Sequence, residues 1–489
     1  MASATNVLLI IADDLGIDSL AAFNDDPSAS LPPTPTVDNI QSNGITFTRF
    51  YSYSTCSPTR SAILTGRYAF RTGVYSPENN LLVANEFTLP DALIESGVIS
   101  NRLAHVGKWH LGNNADSPNT IGGWPRFSGG LRGGVADYYS WSKTVNGVTT
   151  NNYSVYATTD NVNDAIDWIG QQGSHSWFLW LAFNAPHSPL QRPPNDLHDY
   201  DGITDDGADN SRPHYESMVQ AMDTEIARLL GSVDLSETTV IFMGDNGTPR
   251  RVLQAPFPRN PNHGKGSPYE GGIRVPLLVY GAAVSNGLEN TAYDGLLHSA
   301  DLYATILELF GVQTEEVVPE ELVLDTRSFA AVLRGENYQR SPADIMVDNA
   351  SGNAPAQSIM DGDYKYIGYT NGTEELYNVT VDLPEAINLL SGTLLPAEQA
   401  AYESLTNRLD TYINVPHLYS GYMDGGGKFN VEIGWFDNEG FTLYRTDDLA
   451  SNAWVSVSGQ EFEDNGEAAL ILRDPVPPVS NAFYRVATP

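Results

Sequence analysis

The stretch Asn6-Val7-Leu8-Leu9-Ile10-Ile11-Ala12-Asp13-Asp14 is a continuous apolar run that ends in two carboxylates. Continuous runs of this length are typical of a central β-strand that is covered on both faces. In open α/β sheets, ligands bind beyond the carboxyl ends of the strands, where Asp13 and Asp14 would lie. Two adjacent acids after a strand can equally form a turn or cap a helix, so this stretch alone leaves the function of both acids open.

Two later stretches repeat this pattern of an apolar strand followed by polar residues. Trp177–Phe183 leads into Asn184-Ala185-Pro186-His187, and Thr238–Gly244 leads into Asp245-Asn246. The side chains of this last pair offer hard oxygen ligands of the kind that Ca²⁺ prefers. Segments with a helical period separate the strands, so the sequence predicts an α/β fold. The other segments that support this prediction are the strand Val275–Tyr280 and the helices Val162–Ile169, Arg212–Leu230 and Ala300–Phe310.

The stretch Cys56-Ser57-Pro58-Thr59-Arg60 contains the only cysteine of the 489 residues. A lone cysteine is ordinarily a small buried apolar residue. Here Pro58 restricts the backbone, and Ser61–Leu64 can begin a helix, whose N-terminus presents unpaired N–H groups that favour anions. Arg60 adds a permanent cation whose donors match an oxyanion. The stretch therefore predicts a nucleophile placed where negative charge will develop.

The chain is strongly acidic, with 26 basic and 60 acidic residues, a net charge of −34 and a pI near 4.4. Such a surface repels nucleic acid and anionic membranes, so we expect neither as a partner. An anionic substrate would have to be attracted by basic residues clustered at the site, because screening limits repulsion to a Debye length of about 8 Å. The sequence carries no signal for an oligomeric state.

Cysteine content and hydropathy bear on the cellular compartment. One cysteine excludes an intrachain disulfide, so cysteine usage does not report the redox environment. No apolar run reaches the roughly 20 residues of a membrane helix. Val7–Ala12 lacks a basic leader and a cleavage site, so we interpret it as a buried strand and not as a signal peptide. Either the protein is cytoplasmic or its leader is absent from this sequence.

Four segments together resemble one known family. Cys56-Ser57-Pro58-Thr59-Arg60, continued to Gly66-Arg67, resembles the signature of the formylglycine-dependent (type I) sulfatases of the alkaline-phosphatase-like superfamily. Three further segments are similar to that family and follow in its order, with the resemblance ending near Pro416. They are Gly107-Lys108-Trp109-His110, Ala185-Pro186-His187 and Lys265-Gly266-Ser267-Pro268-Tyr269-Glu270-Gly271-Gly272.

The resemblance implies a fold and a division into domains. A large mixed sheet sandwiched by helices, as in alkaline phosphatase and the sulfatases, is expected over residues 1–340. A smaller α+β subdomain with an antiparallel sheet and a helix starting at Pro396 is expected over residues 341–419. Residues 420–489 contain short segments of period two and predict a small all-β module. Bacterial members of this family are often exported, so the resemblance favours a periplasmic or secreted protein.

The resemblance also implies a cofactor and a metal. Cys56 would be oxidised to formylglycine (3-oxoalanine) by a formylglycine-generating maturation enzyme, and the hydrate of this aldehyde would be the nucleophile. A Ca²⁺ ion would be held by Asp13, Asp14, Asp245 and Asn246 together with the residue at position 56. Zinc is disfavoured, because this set offers it no imidazole and no thiolate once the cysteine is converted.

The same resemblance implies catalytic roles for the remaining matched residues. Arg60, Lys108 and Lys265 would neutralise charge on the sulfuryl oxygens. His110 would be the base, and His187, aided by Lys265, would protonate or stabilise the leaving alcohol. Taken alone, the segment around Lys108 could instead be a strand end with a solvent-facing lysine and a satisfied histidine.

We predict a sulfated polysaccharide or oligosaccharide as the substrate, with aryl sulfates also cleaved. Candidate substrate contacts are Arg250, Arg251, His263 and Trp124. The insert that holds Arg250, Arg251 and Arg259 could instead be a solvated loop. The long aperiodic stretch Asn113–Asp160 is predicted to be a loop. Its aromatic residues Trp124, Tyr138, Tyr139 and Trp141 could line a sugar site or pack beneath the loop.

Two alternatives remain at this point. One is a phosphate or phosphonate ester hydrolase of the same superfamily, although phosphonate-cleaving relatives tend to carry histidine where this chain has Asn246. The other is an inactive relative that binds glycans.

Overall fold

Strand β1 (Asn6–Ala12) lies inside a large mixed sheet in the computed structural model. The structure describes residues 6–77, 80–84, 86–99, 101–204, 212–257, 261–320, 322–341, 345–349 and 355–413. Beyond residue 413 it describes only 418–423, 429–434, 442–446, 455–457, 461–464, 469–474 and 483–487. Arg259 lies outside the described residues.

Ten of the described strands form this sheet, in the spatial order β11-β2-β10-β9-β1-β8-β4-β5-β6-β7. β1 runs parallel to both of its neighbours, and β4 runs parallel to β8 and β5. Antiparallel pairing of β10 with β9, and of β6 with β5 and β7, makes the sheet mixed. The other nine strands are β2 (Gly44–Phe47), β4 (Leu103–Gly107), β5 (Arg126–Gly129), β6 (Trp141–Val145), β7 (Val148–Tyr153), β8 (Trp177–Ala182), β9 (Thr238–Gly244), β10 (Leu277–Gly281) and β11 (Thr291–Tyr293). A short pair of strands, β3 (Phe50–Tyr51) and β12 (Leu297–His298), lies outside it.

The apolar run of β1 is buried on both faces of the sheet. Val7, Leu9 and Ile11 belong to one hydrophobic core, whereas Leu8 and Ile10 belong to a second. Side chains alternate across a strand, so a strand with a core on each side must be apolar at every position. This confirms the interpretation of the opening run as a central strand.

Helices cover both faces of the sheet, which confirms the predicted α/β sandwich. Residues of α2, α4, α9 and α11 contribute to the first core, and residues of α1, α6 and α7 contribute to the second. None of the described helices is long and apolar enough to cross a membrane. The helices are α1 (Pro35–Ser42), α2 (Cys56–Thr65), α3 (Ala69–Thr72), α4 (Leu89–Glu95), α5 (Ser117–Thr120), α6 (Ala157–Gly170), α7 (Arg212–Leu230), α8 (Glu270–Ile273), α9 (Asp301–Leu309), α10 (Thr314–Val317), α11 (Ala330–Leu333) and α12 (Pro396–Ile413).

The chain forms two compact units, of residues 1–69 with 74–393 and of residues 70–73 with 394–489. The first unit also contains the antiparallel sheet β13 (Ile345–Asn349), β14 (Ala356–Met360), β15 (Tyr364–Tyr369) and β16 (Glu374–Asn378). The second unit contains α12, which begins at Pro396 as expected, and two antiparallel sheets. Their strands are β17 (Leu418–Met423), β18 (Phe429–Gly434), β19 (Thr442–Thr446), β20 (Val455–Ser456), β21 (Glu461–Asp464), β22 (Ala469–Asp474) and β23 (Phe483–Ala487). The domain boundaries near residues 340 and 419 stay predictions.

The prediction of a long loop over Asn113–Asp160 is wrong, because this stretch forms the edge of the large sheet. It contains β5, β6 and β7, and β6 and β7 form a hairpin whose turn is Asn146-Gly147. Both turn residues have positive φ, 42° and 81°. Asn and Gly tolerate this conformation, and its twist matches that of the paired strands. Because one side of the hairpin is exposed and polar, its strands show no continuous apolar pattern in the sequence.

The core of the sheet contains a histidine, which gives a testable dependence of stability on pH. His105 on β4 is 1% exposed, and its ring stacks on Trp180 with 5.2 Å between centroids. Burial lowers the pKa of His105 from 6.5 to about 3, against the opposing hydrogen bond to the Lys108 carbonyl oxygen. The unfolded chain therefore binds a proton below pH 6.5 that the folded chain does not, so stability is lost as the pH falls from 6.5 towards 3.

We expect His105→Gln to make the acid side of the stability profile less steep. Glutamine keeps a hydrogen-bond donor but does not titrate. The slope of the free energy of unfolding against pH should therefore fall by up to about 1.4 kcal/mol per pH unit. Urea unfolding followed by tryptophan fluorescence over this pH range measures the slope. Identical slopes for both proteins would contradict the assignment of this proton to His105.

Candidate active site

Four adjacent parallel strands deliver polar residues to one edge of the sheet. The spatial order is β9, β1, β8, β4, so their carboxyl ends lie side by side. Asp245 follows β9, Asp13 and Asp14 follow β1, His187 lies in the loop after β8, and Lys108 follows β4. The sheet therefore brings together residues that are up to 232 positions apart, as in the hydrogen bond from the Asn246 amide to Asp14.

Cys56 is the first residue of α2 and faces these strand ends. Its side chain is 1% exposed, and its Sγ lies 3.4 Å from Asp13 Oδ1 and 3.7 Å from Lys265 Nζ. Burial, followed by the charge of the Asp13 carboxylate, raises the pKa of the thiol to about 12. A thiol that stays protonated is a weak nucleophile, so the unmodified cysteine is poorly suited to attack.

Three cations and three carboxylates form a buried network around Cys56. Lys108 Nζ lies 2.5 Å from Asp13 Oδ2, and Arg60 Nη2 lies 2.8 Å from Asp245 Oδ2. The third pair joins Lys265 to Asp14. Arg60 is further held by a 2.9 Å hydrogen bond to the Lys108 carbonyl oxygen. These six formal charges cancel, so the network can hold ions in a site that excludes water.

The network shifts the pKa values of its own members. Burial alone would raise the pKa of Asp13, but the charges of Lys108, Arg60 and Lys265 outweigh it and hold that pKa below its usual value. Burial would likewise lower the pKa of Lys265, but the Asp14 carboxylate outweighs it and raises that pKa. Both groups are therefore ionised at neutral pH.

The two histidines of the site are neutral at neutral pH. Burial first, and then the cations Lys108 and Arg60, lower the pKa of His110 to about 2. Its Nδ1 is buried and has no hydrogen-bond partner among the described residues. Burial also lowers the pKa of His187, although the nearby Asp14 and Asp13 oppose this. A neutral imidazole with an open nitrogen can accept a proton, as the role predicted for His110 requires.

The donor set at the strand ends fits a hard divalent cation. Ligand atoms of Asp13, Asp14, Cys56 and His187 lie within 4.8 Å of one another. Asn246 Oδ1 is buried without a hydrogen-bond partner among the described residues, while its Nδ2 donates to Asp14 Oδ1 at 2.8 Å. Carboxylate and amide oxygens are the ligands of Ca²⁺, and an unsatisfied buried acceptor is what such an ion would bind. His187 joins this cluster although the sequence did not predict it as a ligand.

The sulfatase family model matches residues 5–312, a range that contains all of these residues. The chain belongs to the sulfatase family. Arylsulfatase J of Mus musculus is 28% identical over 354 residues, which cover 66% of this chain and 54% of that protein. N-acetylgalactosamine-6-sulfatase of Homo sapiens is 28% identical over 352 residues, which cover 63% of this chain and 62% of that protein. The chain thus matches less than two thirds of the length of either relative.

A solved structure has the same fold. The crystal structure of Ps i-CgsB in complex with k-i-k-neocarrahexaose superposes with a TM-score of 0.68 at 24% identity. The likeness covers 83% of this sulfatase chain and 92% of that chain. Family and fold therefore agree with the resemblance that was predicted from the four motifs.

Two of the four predicted substrate contacts of this sulfatase have buried rings. Trp124 is 1% exposed and packs edge-on against Trp180, so the prediction that it contacts substrate is wrong because its ring is enclosed in the core. His263 is also buried, and its ring stacks on Tyr269 with 3.6 Å between centroids. Both rings therefore contribute to packing.

Arg250 and Arg251 are exposed in the loop that follows Asn246. Arg250 Nη2 donates to the Gly266 carbonyl oxygen at 3.2 Å, next to Lys265. Arg250 is therefore close to Lys265, and both arginines stay a proposal as substrate contacts.

A second buried ion cluster anchors the segment that carries Lys265. Glu270 accepts hydrogen bonds from Lys365 Nζ at 3.0 Å and from the Tyr51 hydroxyl at 3.1 Å. Lys365 also lies 2.5 Å from Glu385, whose other oxygen accepts the Glu270 backbone N–H at 2.6 Å. Lys365 and Glu270 are fully buried, so the segment from Lys265 to Glu270 is held against β15 by charges that water does not screen.

Sequence reasoning missed several residues that position the histidines. The Tyr138 hydroxyl donates to the carbonyl oxygens of Asn184 and His187, at 2.7 and 2.8 Å, and so fixes the loop after β8. The Asn184 side-chain amide is buried and makes no hydrogen bond among the described residues. Ser57 Oγ donates to the His110 carbonyl oxygen at 2.9 Å. Tyr138 follows a Gly-rich stretch, but nothing in its sequence context distinguishes this role from packing.

Proposed function

We propose that this chain hydrolyses sulfate esters, with formylglycine made from Cys56 as nucleophile and with Ca²⁺ bound by Asp13, Asp14, Asp245 and Asn246. The observation that carries the proposal is the placement of Cys56. Cys56 lies at the start of a buried helix. Its Sγ is 3.4 Å from Asp13 Oδ1, a proposed metal ligand, and 3.7 Å from Lys265 Nζ. Family membership supports the same reaction, because the matched segment includes every residue involved.

The bound groups would supply two kinds of chemistry that the chain itself lacks. Formylglycine supplies, as its hydrate, an oxygen nucleophile, and Ca²⁺ supplies a Lewis acid that makes its hydroxyl more acidic and polarises the ester.

The residues of the chain would orient the ester and move its protons. Arg60, Lys108 and Lys265 present N–H donors to the sulfuryl oxygens, where negative charge grows during the reaction. His110, whose Nδ1 is buried without a hydrogen-bond partner among the described residues, would accept a proton from the residue at position 56. His187, which is partly exposed, and the ionised Lys265 would stabilise the leaving alcohol.

For the substrate we propose a sulfated polysaccharide or oligosaccharide, with small aryl sulfates cleaved as well. Similar proteins are named for an aryl sulfate and an N-acetylgalactosamine 6-sulfate, and a protein of the same fold was solved with a carrageenan hexasaccharide. Exposed Arg250 and Arg251 would contact the polyanion. A maturation enzyme that generates formylglycine and a periplasmic or secreted location are parts of the same proposal.

The proposal is tested with protein produced together with a formylglycine-generating enzyme and protein produced without it. We expect only the first to release sulfate from 4-nitrophenyl sulfate and from at least one member of a panel of sulfated glycans. Removing Ca²⁺ with a chelator should abolish this release and lower the melting temperature, because the carboxylates lose their dication. Adding Ca²⁺ back should restore both.

Parallel assays on 4-nitrophenyl phosphate and on a phenyl phosphonate monoester address the alternative reactions. Faster cleavage of either compound than of every sulfate ester would contradict the proposal and favour the phosphoryl or phosphonyl hydrolase.

A further inference from the structure

A cavity of about 460 Å³, lined by both polar and apolar residues, lies beside the candidate active site, between the β5–β6 loop and the hairpin β6–β7. Cavities of this size accommodate small ligands such as one or two sugar rings. Its walls come from the segment before β5, the β5–β6 loop and the hairpin, namely Asn113, Ala115, Gly130, Leu131, Arg132, Gly134, Val135, Ala136, Ser140, Trp141, Ser142, Thr144, Thr149, Asn151 and Asn152. None of these residues was predicted to contact substrate, apart from the alternative given for Trp141.

One loop separates this cavity from the two catalytic histidines. A Cβ placed on Gly133 would lie 2.5 Å from His110 Nε2, and one on Gly134 would lie 3.0 Å from His187 Nδ1. Gly134 also lines the cavity. Only glycine permits such close packing, so the loop rests directly on both imidazoles. Because His187 is proposed to stabilise the leaving alcohol, which belongs to the sugar, a ligand in this cavity would lie next to that sugar.

The hairpin presents a regular polar surface to the cavity. Ser142 and Thr144 of β6 and Thr149 and Asn151 of β7 all line it, and they occupy alternate positions of their strands. They pair across the hairpin, with 2.8 Å between the hydroxyls of Thr144 and Thr149 and 2.8 Å from Ser142 Oγ to Asn151 Oδ1. Hydroxyl and amide groups can both donate and accept hydrogen bonds, which suits the hydroxyl groups of a sugar.

The hairpin is held rigidly from its other side. Lys143 points away from the polar surface, and its Nζ lies 2.6 Å from Asp160 and 2.8 Å from Asp164, both on α6. The same Nζ lies 4.7 Å from the centre of the Tyr153 ring. A wall fixed in this way is preorganised for a ligand.

Arg132 is a cation at the cavity that has no counter-ion in the described part of the chain. Its side chain is exposed, lines the cavity, and makes no hydrogen bond or ion pair with any described residue. The chain carries a net charge of −34, so carboxylates are abundant. A guanidinium that stays unpaired beside this cavity is available to bind an anionic group of a ligand.

We infer that this cavity is a subsite for the sugar residue next to the one that loses its sulfate, and that Arg132 binds an anionic substituent, a sulfate or a carboxylate, on that neighbour. The inference rests on the proposed function for the identity of the reaction. It assigns substrate selection to the edge hairpin, and makes a glycan with at least two charged groups the preferred substrate over a small aryl sulfate.

Binding to protein that cannot turn over tests the subsite independently of catalysis. In a Cys56→Ala background, affinity electrophoresis is run through carrageenan, chondroitin sulfate, alginate and neutral dextran. We expect at least one polyanion, and not dextran, to retard the protein. Arg132→Gln should weaken that binding roughly tenfold or more, because a charge-assisted hydrogen bond is lost. Arg132→Lys should recover part of it, and Arg126→Gln is the matched control, since Arg126 lies on β5 just before the loop and does not line the cavity.

The pattern across the panel identifies the anion. If Arg132→Gln weakens binding to carrageenan alone, the partner of Arg132 is a sulfate. If it weakens binding to alginate, the partner is a carboxylate. Absence of binding to every polyanion, or equal effects of Arg132→Gln and Arg126→Gln, would overturn the inference. Failure of the proposed function looks different, because matured wild-type protein would then release no sulfate while binding through Arg132 persisted. In active protein, Arg132→Gln should raise KM for the charged glycan by a larger factor than KM for 4-nitrophenyl sulfate.

Discussion

Replacing Cys56 with alanine is expected to reduce sulfate release by the matured protein by at least about 10⁴-fold, because the covalent nucleophile is lost. The surrounding cations and carboxylates would remain, so the variant should fold and should still bind anions. The side chain is small and buried at the start of α2, and alanine is well tolerated in a helix. The ratio of the wild-type rate to the variant rate is obtained from sulfate release with 4-nitrophenyl sulfate and with the glycan that the wild-type protein cleaves best.

Intact mass provides the companion measurement. Conversion of Cys56 to the aldehyde should lower the mass of the wild-type protein by roughly 18 Da, a change that ordinary cysteine oxidation does not produce. Thr65→Ala is the matched control, since Thr65 lies in the same buried helix and its hydroxyl makes only local hydrogen bonds, donating to the Ser61 carbonyl oxygen at 2.8 Å and accepting from the Arg67 backbone N–H at 3.3 Å. It should keep both the mass shift and the activity. Sulfate release by Cys56→Ala at the wild-type rate would exclude the proposed nucleophile.

Lys365→Met is expected to destabilise the protein by about 3–5 kcal/mol, because two buried carboxylates lose their shared cation. Lys365 and Glu270 are fully buried and Glu385 nearly so. In the wild-type protein the charges of Lys365 and Arg274 outweigh burial and lower the pKa of Glu270, whereas burial raises the pKa of Glu385 to about 8. Without Lys365, Glu270 keeps only its 3.4 Å pair with Arg274 among the described residues. Activity should fall with stability, because Glu270 belongs to the segment that carries Lys265.

Two comparisons isolate the cause of this loss. Adding Glu270→Gln and Glu385→Gln to Lys365→Met removes the uncompensated charge and should restore part of the free energy of unfolding. Arg334→Met breaks a pair with Glu336, which is 51% exposed, and should cost only about 0.5 kcal/mol, since water screens such a pair. The free energies come from urea unfolding. Equal losses for Lys365→Met and Arg334→Met would refute the role of burial.

Much of the fold follows from the sequence, because the central strands are apolar at every position and the helices between them have a regular period. Arg212–Leu230 and Pro396 mark helix boundaries that the structure reproduces. The edge of the sheet was missed, since its hairpin exposes one face and shows no continuous apolar run. Asn146-Gly147 between β-branched residues was the available signal, because this pair favours a two-residue hairpin turn.

The site was predictable where function requires particular residue types at strand ends, as for Asp13, Asp14, Lys108 and Asp245. What escaped prediction depends on contacts across long separations. Nothing in the alternating pattern of β15 distinguishes Lys365, which is fully buried, from a lysine that faces solvent. Trp124 shows the opposite error, since an aromatic residue among glycines and asparagines suggested a sugar platform and is instead enclosed by other rings.

The position of the β6–β7 hairpin at the outermost edge of the sheet has a consequence for engineering. Chemistry depends on the four inner strands β9, β1, β8 and β4, whereas β7 pairs with β6 alone. The hairpin can therefore be exchanged between relatives, or randomised at its outward positions, without disturbing any strand that carries a reacting group. A library confined to Ser142, Thr149 and Asn151, which line the cavity, would vary the surface proposed to bind a neighbouring sugar and would keep Lys143 and the Asn146-Gly147 turn unchanged.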